Sequence, residues 1–194
     1  MVKNFLEIQN ATFVASKTNK VNNVNLIIEK EGEIVTLLGP SGIGKTTILR
    51  TISGLQNLQS GKIIFKGNII SSKEFNLEPE KRNIALSFQD NSLFPNYNIL
   101  ENINFGSKRA KSSKFKYTSD DLIKILHLEN LLQKFPHQIS AGEAQRVSSA
   151  RSLMSKPDLL LLDEPFSNID ESLKVELQLN IKKILKKNKI TTIM

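Results

Sequence analysis

Gly39-Pro40-Ser41-Gly42-Ile43-Gly44-Lys45-Thr46-Thr47 has residue types and a spacing suited to holding phosphate. Glycines let backbone N–H groups turn inward around phosphate oxygens, where a side chain would collide. An apolar run, Ile34-Val35-Thr36-Leu37-Leu38, leads into the loop. Ile48-Leu49-Arg50-Thr51-Ile52 follows and reads as a helix ending near Gly54. Strand, glycine loop and helix form the context in which G-x-x-x-x-G-K-T means a nucleoside triphosphate site rather than a chance Gly/Ser loop. The helix aims the positive end of its dipole at the same oxygens. Lys45 reaches the β- and γ-phosphates, and the Thr46 hydroxyl suits a Mg²⁺ ion. The motif alone does not choose between a kinase, a GTPase and a transport ATPase.

A second group is Asp163-Glu164, delivered by Leu159-Leu160-Leu161-Leu162. An acid at the end of such a strand suits Mg²⁺ that bridges β- and γ-oxygens. Its neighbour Glu164 can orient, or accept a proton from, an attacking water. Two solvated acids capping a strand are the plain alternative, which four leucines and an upstream phosphate loop disfavour. Gln89 ends another strand-like run, Ile84-Ala85-Leu86-Ser87-Phe88, and its amide can contact both metal and water. Ser140-Ala141-Gly142 opens a helix running to about Met154 and offers a second anion site. One triphosphate rarely needs two helix N-termini so distant in sequence. Two copies facing each other would use both.

The elements that must position these groups read as alternating strands and helices. Phe5 to Gln9 and Val24 to Ile28 have strand character, with the polar stretch Ser16 to Asn23 between them as loop. Phe13 is an aromatic that could stack on a base, although packing within the sheet is the preferred reading. Lys62 to Phe65 and Asn68 to Ile70 read as short strands around a Gly67 turn. Residues Ile99 to Gly106 suit a short helix, Asp120-Asp121 a helix start, and Leu131-Leu132 the beginning of another helical piece. Leu122, Ile125 and Leu126 are expected on one helix face, and Val147, Ala150 and Met154 on another. The Leu159 to Leu162 strand is expected to be buried on both faces. Leu173, Leu177, Ile181 and Ile184 mark an amphipathic helix from Glu171 to Lys187, and Ile190 to Ile193 starts one more strand. The expected fold class is α/β, with a mostly parallel sheet flanked by helices and an N-terminal antiparallel β subdomain. One domain spans 1–194, with a helical subdomain, 90–154, inserted between the phosphate loop and the second catalytic strand.

The chain has 194 residues, a formal charge of +8, 39% apolar residues and no cysteine. Disulfides and cysteine-ligated metals are therefore excluded. Glu7 interrupts any apolar leader, and no run approaches a membrane span, so a cytoplasmic protein is expected. The lysines are dispersed apart from Lys182-Lys183, Lys186-Lys187 and Lys189, and no basic–aromatic interleaving suits a single-strand platform. A solvated surface is preferred, membrane proximity comes next and nucleic acid last.

These residues resemble an ABC-transporter ATP-binding subunit. The resemblance rests on Gly39 to Thr47, Gln89, Ile139-Ser140-Ala141-Gly142-Glu143-Ala144-Gln145-Arg146-Val147, Leu159 to Pro165 and Ser167-Asn168-Ile169-Asp170, in order and spacing. It implies a P-loop NTPase core that uses ATP and Mg²⁺, with Thr46, Gln89 and Asp163 at the metal and Glu164, Lys45 and Gln89 in catalysis. It also implies a head-to-tail homodimer, with each ATP between one subunit's phosphate loop and the signature residues Ser140, Ala141, Gly142 and Glu143 of its mate. Asp170 would lie in the D-loop crossing that interface. Leu93-Phe94-Pro95 looks like the part that grips a membrane permease, with a solute-binding protein acting indirectly and no nucleic acid partner. The implied place is peripheral, on the cytoplasmic face of the inner membrane. Pro79-Glu80-Lys81-Arg82, Phe88-Gln89-Asp90 and Glu101-Asn102 are similar to importers for iron(III), polyamines, sulfate or sugars, and the leaning is to iron(III) or polyamine.

The chain departs from the family pattern in three places. The usual L-S-G-G-Q reads Ile139-Ser140-Ala141-Gly142-Glu143, which predicts weakened dimer closure. A base-stacking aromatic after the first strand is not clear. The switch histidine that follows the last strand in the family has no counterpart, and His127 and His137 cannot fill the role. A fragment of a longer subunit is the favoured explanation, with a product impaired in hydrolysis as the other. An exposed, unfinished last strand would carry an aggregation risk. The expected activity is ATP hydrolysis driving solute import. The alternatives are an ATP-dependent dimerisation module without turnover and a soluble ATPase acting on nucleic acid.

Overall fold

The computed structural model describes residues 3–15, 20–88, 93–108, 110 and 115–194. Gln89 and Asp90 lie outside the described residues. Two four-stranded sheets organise the chain. The first contains β1 (Leu6–Val14), β2 (Lys20–Ile28), β4 (Ser60–Phe65) and β5 (Asn68–Ser72), all antiparallel in the order β2-β1-β4-β5. Leu6, Ile8, Ala11 and Phe13 of β1 are buried. The register shifts between Ile8 and Ala11, where Asn10 takes φ +47°, so two inward-facing runs meet one core despite the extra residue. Phe13 is wholly buried among them, as the packing reading expected. The expectation of a Ser16 to Asn23 loop fails over residues 20–23, which belong to β2, with Lys20 opposite Val14 and Val21 opposite Phe13. The polar Lys20, Asn22 and Asn23 suit an edge strand with one wet face.

The second sheet is parallel, in the order β3 (Ile34–Val35), β8 (Thr191–Ile193), β7 (Leu159–Leu162), β6 (Ile84–Ser87). The last strand is therefore no exposed edge. It lies between β3 and β7, and Leu37 N–H donates to Met194 O at 2.6 Å just beyond β3. The strand leading to the phosphate loop is shorter than the apolar run Ile34 to Leu38, since Leu38 is 90% exposed. Every residue of β7 is buried, and its two faces feed different cores. Leu159 and Leu161 join the antiparallel sheet and α1 (Lys45–Ser53). Leu160 and Leu162 join the helices.

Between β6 and β7 the described elements are all helical: α2 (Ile99–Ser107), α3 (Ser119–Ile125) and α4 (Ala141–Met154), with single turns at Glu129–Leu131 and Pro136–Gln138. The turn near Leu131 ends there instead of beginning there. Three capping boxes start the three helices: Asn98 with Glu101, Thr118 with Asp121, and Ser140 with Glu143. On α3 the buried residues are Leu122, Ile123 and, just past its end, Leu126, while Ile125 is only partly buried. Val147, Ala150 and Met154 of α4 are buried as expected, and α5 (Glu171–Asn188) buries Leu177, Ile181 and Ile184. No helix among the described residues is long and apolar enough to cross a membrane.

One side chain that sequence reasoning left without a role joins α1 to the antiparallel sheet. Arg82 is 3% exposed and donates to the carbonyls of Thr51, Ile52, Ile70 and Leu77, to Ser71 Oγ and to Asn76 Oδ1. It binds the C-terminal, negative end of the α1 dipole to the antiparallel sheet without any carboxylate. Burial pulls its pKa down to about 10.

Candidate functional site

The phosphate loop joins β3 to α1, and Gly44 occupies the N-cap position of that helix at φ +111°. A Cβ there would lie 2.5 Å from Val21 Cγ2, so the position requires glycine on two counts. Lys45 begins α1, and its ammonium donates to the carbonyls of Gly39 and Pro40 at 2.8 and 3.1 Å. The cation is thus held over the loop. Gly54 ends α1 in the left-handed conformation, where the sequence placed the stop.

Asp163 follows β7 and is 5% exposed. Its backbone N–H donates to Ser87 O at the end of β6. Burial raises its carboxyl pKa, the hydrogen bond from Thr46 opposes that rise, and the Glu164 charge adds to it. Thr46 and Asp163 therefore touch, although 117 residues separate them in sequence (163 − 46). Glu164 is exposed and takes φ +48°. It lines a cleft of about 300 Å³ with Ser41, Gly42, Gly44, Lys45, Thr46 and Thr47. Ala15 lines the same cleft, where a stacking ring was sought. A hydroxyl and a carboxylate in contact beside a phosphate cradle fit Mg²⁺, whose remaining ligands would be phosphate oxygens and water.

The Ser140 corner is built separately. Ser140 caps α4: its hydroxyl accepts from Glu143 N–H at 3.2 Å, and its own N–H donates to Glu143 Oε2 at 2.7 Å. That backbone bond is the main reason the Glu143 carboxyl pKa is lowered. Glu143 is thus turned back onto its own helix start. Ser140 is exposed and does not line the Lys45 cleft. A Cβ on Gly142 would sit 2.4 Å from Asn168 O, so glycine lets α4 approach the loop that leads to Asp170. Asp170 is the exposed N-cap of α5.

Gln145 belongs to this region and was missed as a functional position. It is 1% exposed, and its amide bonds Glu164 O and Asn168 N–H. A polar side chain two residues before Val147, on a helix buried almost throughout its second half, was the available clue, since a buried amide requires partners.

A parallel sheet with a glycine loop before its first helix, and paired acids at the end of another strand of that sheet, defines a P-loop NTPase. Residues 21–167 match the family described as ABC transporter. The chain is 40% identical over 190 residues to the Fe(3+) ions import ATP-binding protein FbpC of Fusobacterium nucleatum, covering 97% of this chain and 50% of that one. It is 40% identical over 188 residues to the spermidine/putrescine import ATP-binding protein PotA of Lawsonia intracellularis, covering 96% and 50%. Among solved structures it is similar to the dimeric, post-hydrolysis state of the ATP-binding cassette MJ0796 bound to ADP and Pi. There the TM-score is 0.79 at 28% identity, over 97% of this chain and 86% of that one. The chain belongs to the ABC transporter family. It spans about half the length of the curated relatives it matches.

Proposed function

We propose that the chain is the ATP-binding and ATP-hydrolysing part of an ABC importer. The observation that carries this is one cleft lined by the Lys45 loop and by Glu164, with Asp163 bonded to Thr46 behind it. Loop N–H groups and Lys45 bind the phosphates, and Glu164 orients the attacking water. Thr46 and Asp163 would hold Mg²⁺, which neutralises charge on the phosphate oxygens, with Gln89 as the further ligand and water contact. The residues described between β6 and β7 support a helical subdomain, 90–154, carrying Ser140 to Glu143. Because Ser140 is exposed away from the cleft, a head-to-tail dimer is the arrangement that brings it to a nucleotide. Asp170, at the start of α5, would lie in that interface.

A groove of about 630 Å³ runs between β6 and helices α2 and α4, lined by Phe88, Phe94, Phe105 and Arg151. It supports permease docking at Leu93-Phe94-Pro95, where Phe94 and Pro95 are exposed and Leu93 is partly buried. The protein would then work peripherally, on the cytoplasmic face of the membrane, with a solute-binding protein reached through the permease. The names of the relatives support iron(III) or polyamine as solute, along with sulfate and sugars.

Phosphate release from ATP and Mg²⁺ tests the enzymatic reading. Glu164→Gln is expected to lower turnover roughly 100- to 10,000-fold while ATP still binds. Lys45→Ala is expected to weaken ATP binding itself. Binding and dimerisation with no release in the wild type would favour a dimerisation module instead.

A further inference from the structure

We propose that Gln145 is a positioning residue for turnover: it clamps the Glu164 turn onto the helix that begins at Ser140. This rests on the ATPase reading above. Glu164 holds a left-handed backbone, φ +48°, which a β-carbon disfavours and the surroundings must enforce. Three donors converge on its carbonyl: Ser167 N–H at 3.2 Å, Ser167 Oγ at 3.1 Å and Gln145 Nε2 at 2.7 Å. The Ser167 bonds are internal to the turn and cannot say where the turn sits. The Gln145 bond comes from α4 and can.

The other end of the same amide accepts from Asn168 N–H at 3.2 Å. One buried side chain thus grips the turn at residues 164 and 168. Gly142 presses on the same segment, since a Cβ there would meet Asn168 O at 2.4 Å. The carboxylate that faces one nucleotide and the serine offered to another copy's nucleotide are therefore mounted on a single rigid unit. A shift of α4 carries Glu164 with it. Removing the clamp leaves the phosphate loop, α1 and Asp163 untouched, so the loss falls on the chemical step and not on ATP affinity. A displacement of about 1 Å at a reacting group can cost on the order of 100-fold in rate.

The test compares Gln145→Met and Gln145→Glu in the full-length protein. It reads kcat and KM for ATP with Mg²⁺, ATP affinity at equilibrium, and hydrogen exchange at the Asn168 amide. Methionine keeps the length and removes the bonds to Glu164, Ser167 and Asn168. Its expected kcat is about 10- to 100-fold lower, with ATP affinity within about twofold of wild type and faster exchange at Asn168. Glutamate keeps an acceptor for Asn168 but has no donor for the Glu164 carbonyl, so it is expected to restore amide protection without restoring kcat. Near-wild-type kcat in either variant overturns the proposal, as does a loss confined to ATP affinity. If Gln145→Met does not fold, Gln145→Glu alone decides by the same criterion. A wild-type protein without turnover defeats the ATPase reading instead. The clamp is then judged at Asn168, where unchanged exchange in Gln145→Met overturns it.

Discussion

At Asp163 burial works against ionisation, and the sign of its effect on stability follows. A carboxyl whose pKa is raised on folding holds its proton more tightly in the folded state. The stability this supplies is present below the unfolded carboxylate pKa of about 3.9 and is lost as pH rises through the raised folded value. At pH 7 the burial of this carboxyl is therefore a cost that a bound cation would offset. Asp163→Asn is expected to raise the unfolding temperature of the nucleotide-free protein near pH 7, and the gain should vanish at strongly acid pH. A gain that persists in acid would mean that burial of charge is not its cause. Glu143 is shifted the other way, held ionised chiefly by the Ser140 N–H. Glutamine can make the same capping bond without the charge. Glu143→Gln is thus expected to keep α4 intact and increase ATP turnover by easing the approach of a second phosphate-bearing subunit. Unchanged turnover would show that the charge, already folded back on its own helix, does not oppose closure. The phosphate loop, Asp163 and Glu164 were all legible as residues because each lies in a local motif. Gln145 and Arg82 were not, because their partners lie 19 to 23 residues away for Gln145 and 5 to 31 residues away for Arg82.

Among the elements, α1 depends most on a single distant side chain. Two carbonyls of its last turn, Thr51 and Ile52, accept from Arg82, and Thr51 also accepts from the Gly54 N–H. Arg82→Met fills similar volume but removes the guanidinium from the carbonyls of Ile52 and Leu77, while those of Thr51 and Ile70 keep the backbone N–H of Gly54 and Leu77. A loss of about 3 kcal/mol in unfolding free energy is expected, read by denaturant titration. A loss below about 1 kcal/mol would mean that water replaces the guanidinium. The helices of the β6–β7 region were visible from capping residues and apolar spacing, because those cues act within one or two turns. The start of β2 was not visible, since Lys20, Asn22 and Asn23 are polar and it is the pairing of Lys20 and Val21 with β1 that begins the strand. For the same reason the run Ile34 to Leu38 suggested a longer β3 than the sheet accommodates.

Across the whole molecule, β7 is the shared wall of two cores, with Leu159 and Leu161 on one side and Leu160 and Leu162 on the other. It therefore fixes Asp163 and Glu164 relative to both the phosphate loop and the helical region. Dimerisation belongs at this scale. Glu164→Gln with ATP is expected to sediment as a dimer, and adding Ser140→Arg should return it to monomer while ATP still binds each chain. A persistent dimer would place the interface elsewhere. The amino-acid sequence by itself determined the phosphate loop, the paired acids, the alternating α/β order and the family, because each is written in short spacings set by backbone geometry. Only the tertiary structure decided that the last strand is central, that Thr46 meets Asp163, that Ala15 lines the cleft, and that Gln145 ties Glu164 to α4. Those facts depend on which distant segments pack together, and packing is settled by burying the whole set of apolar faces at once, not by any local run of residues.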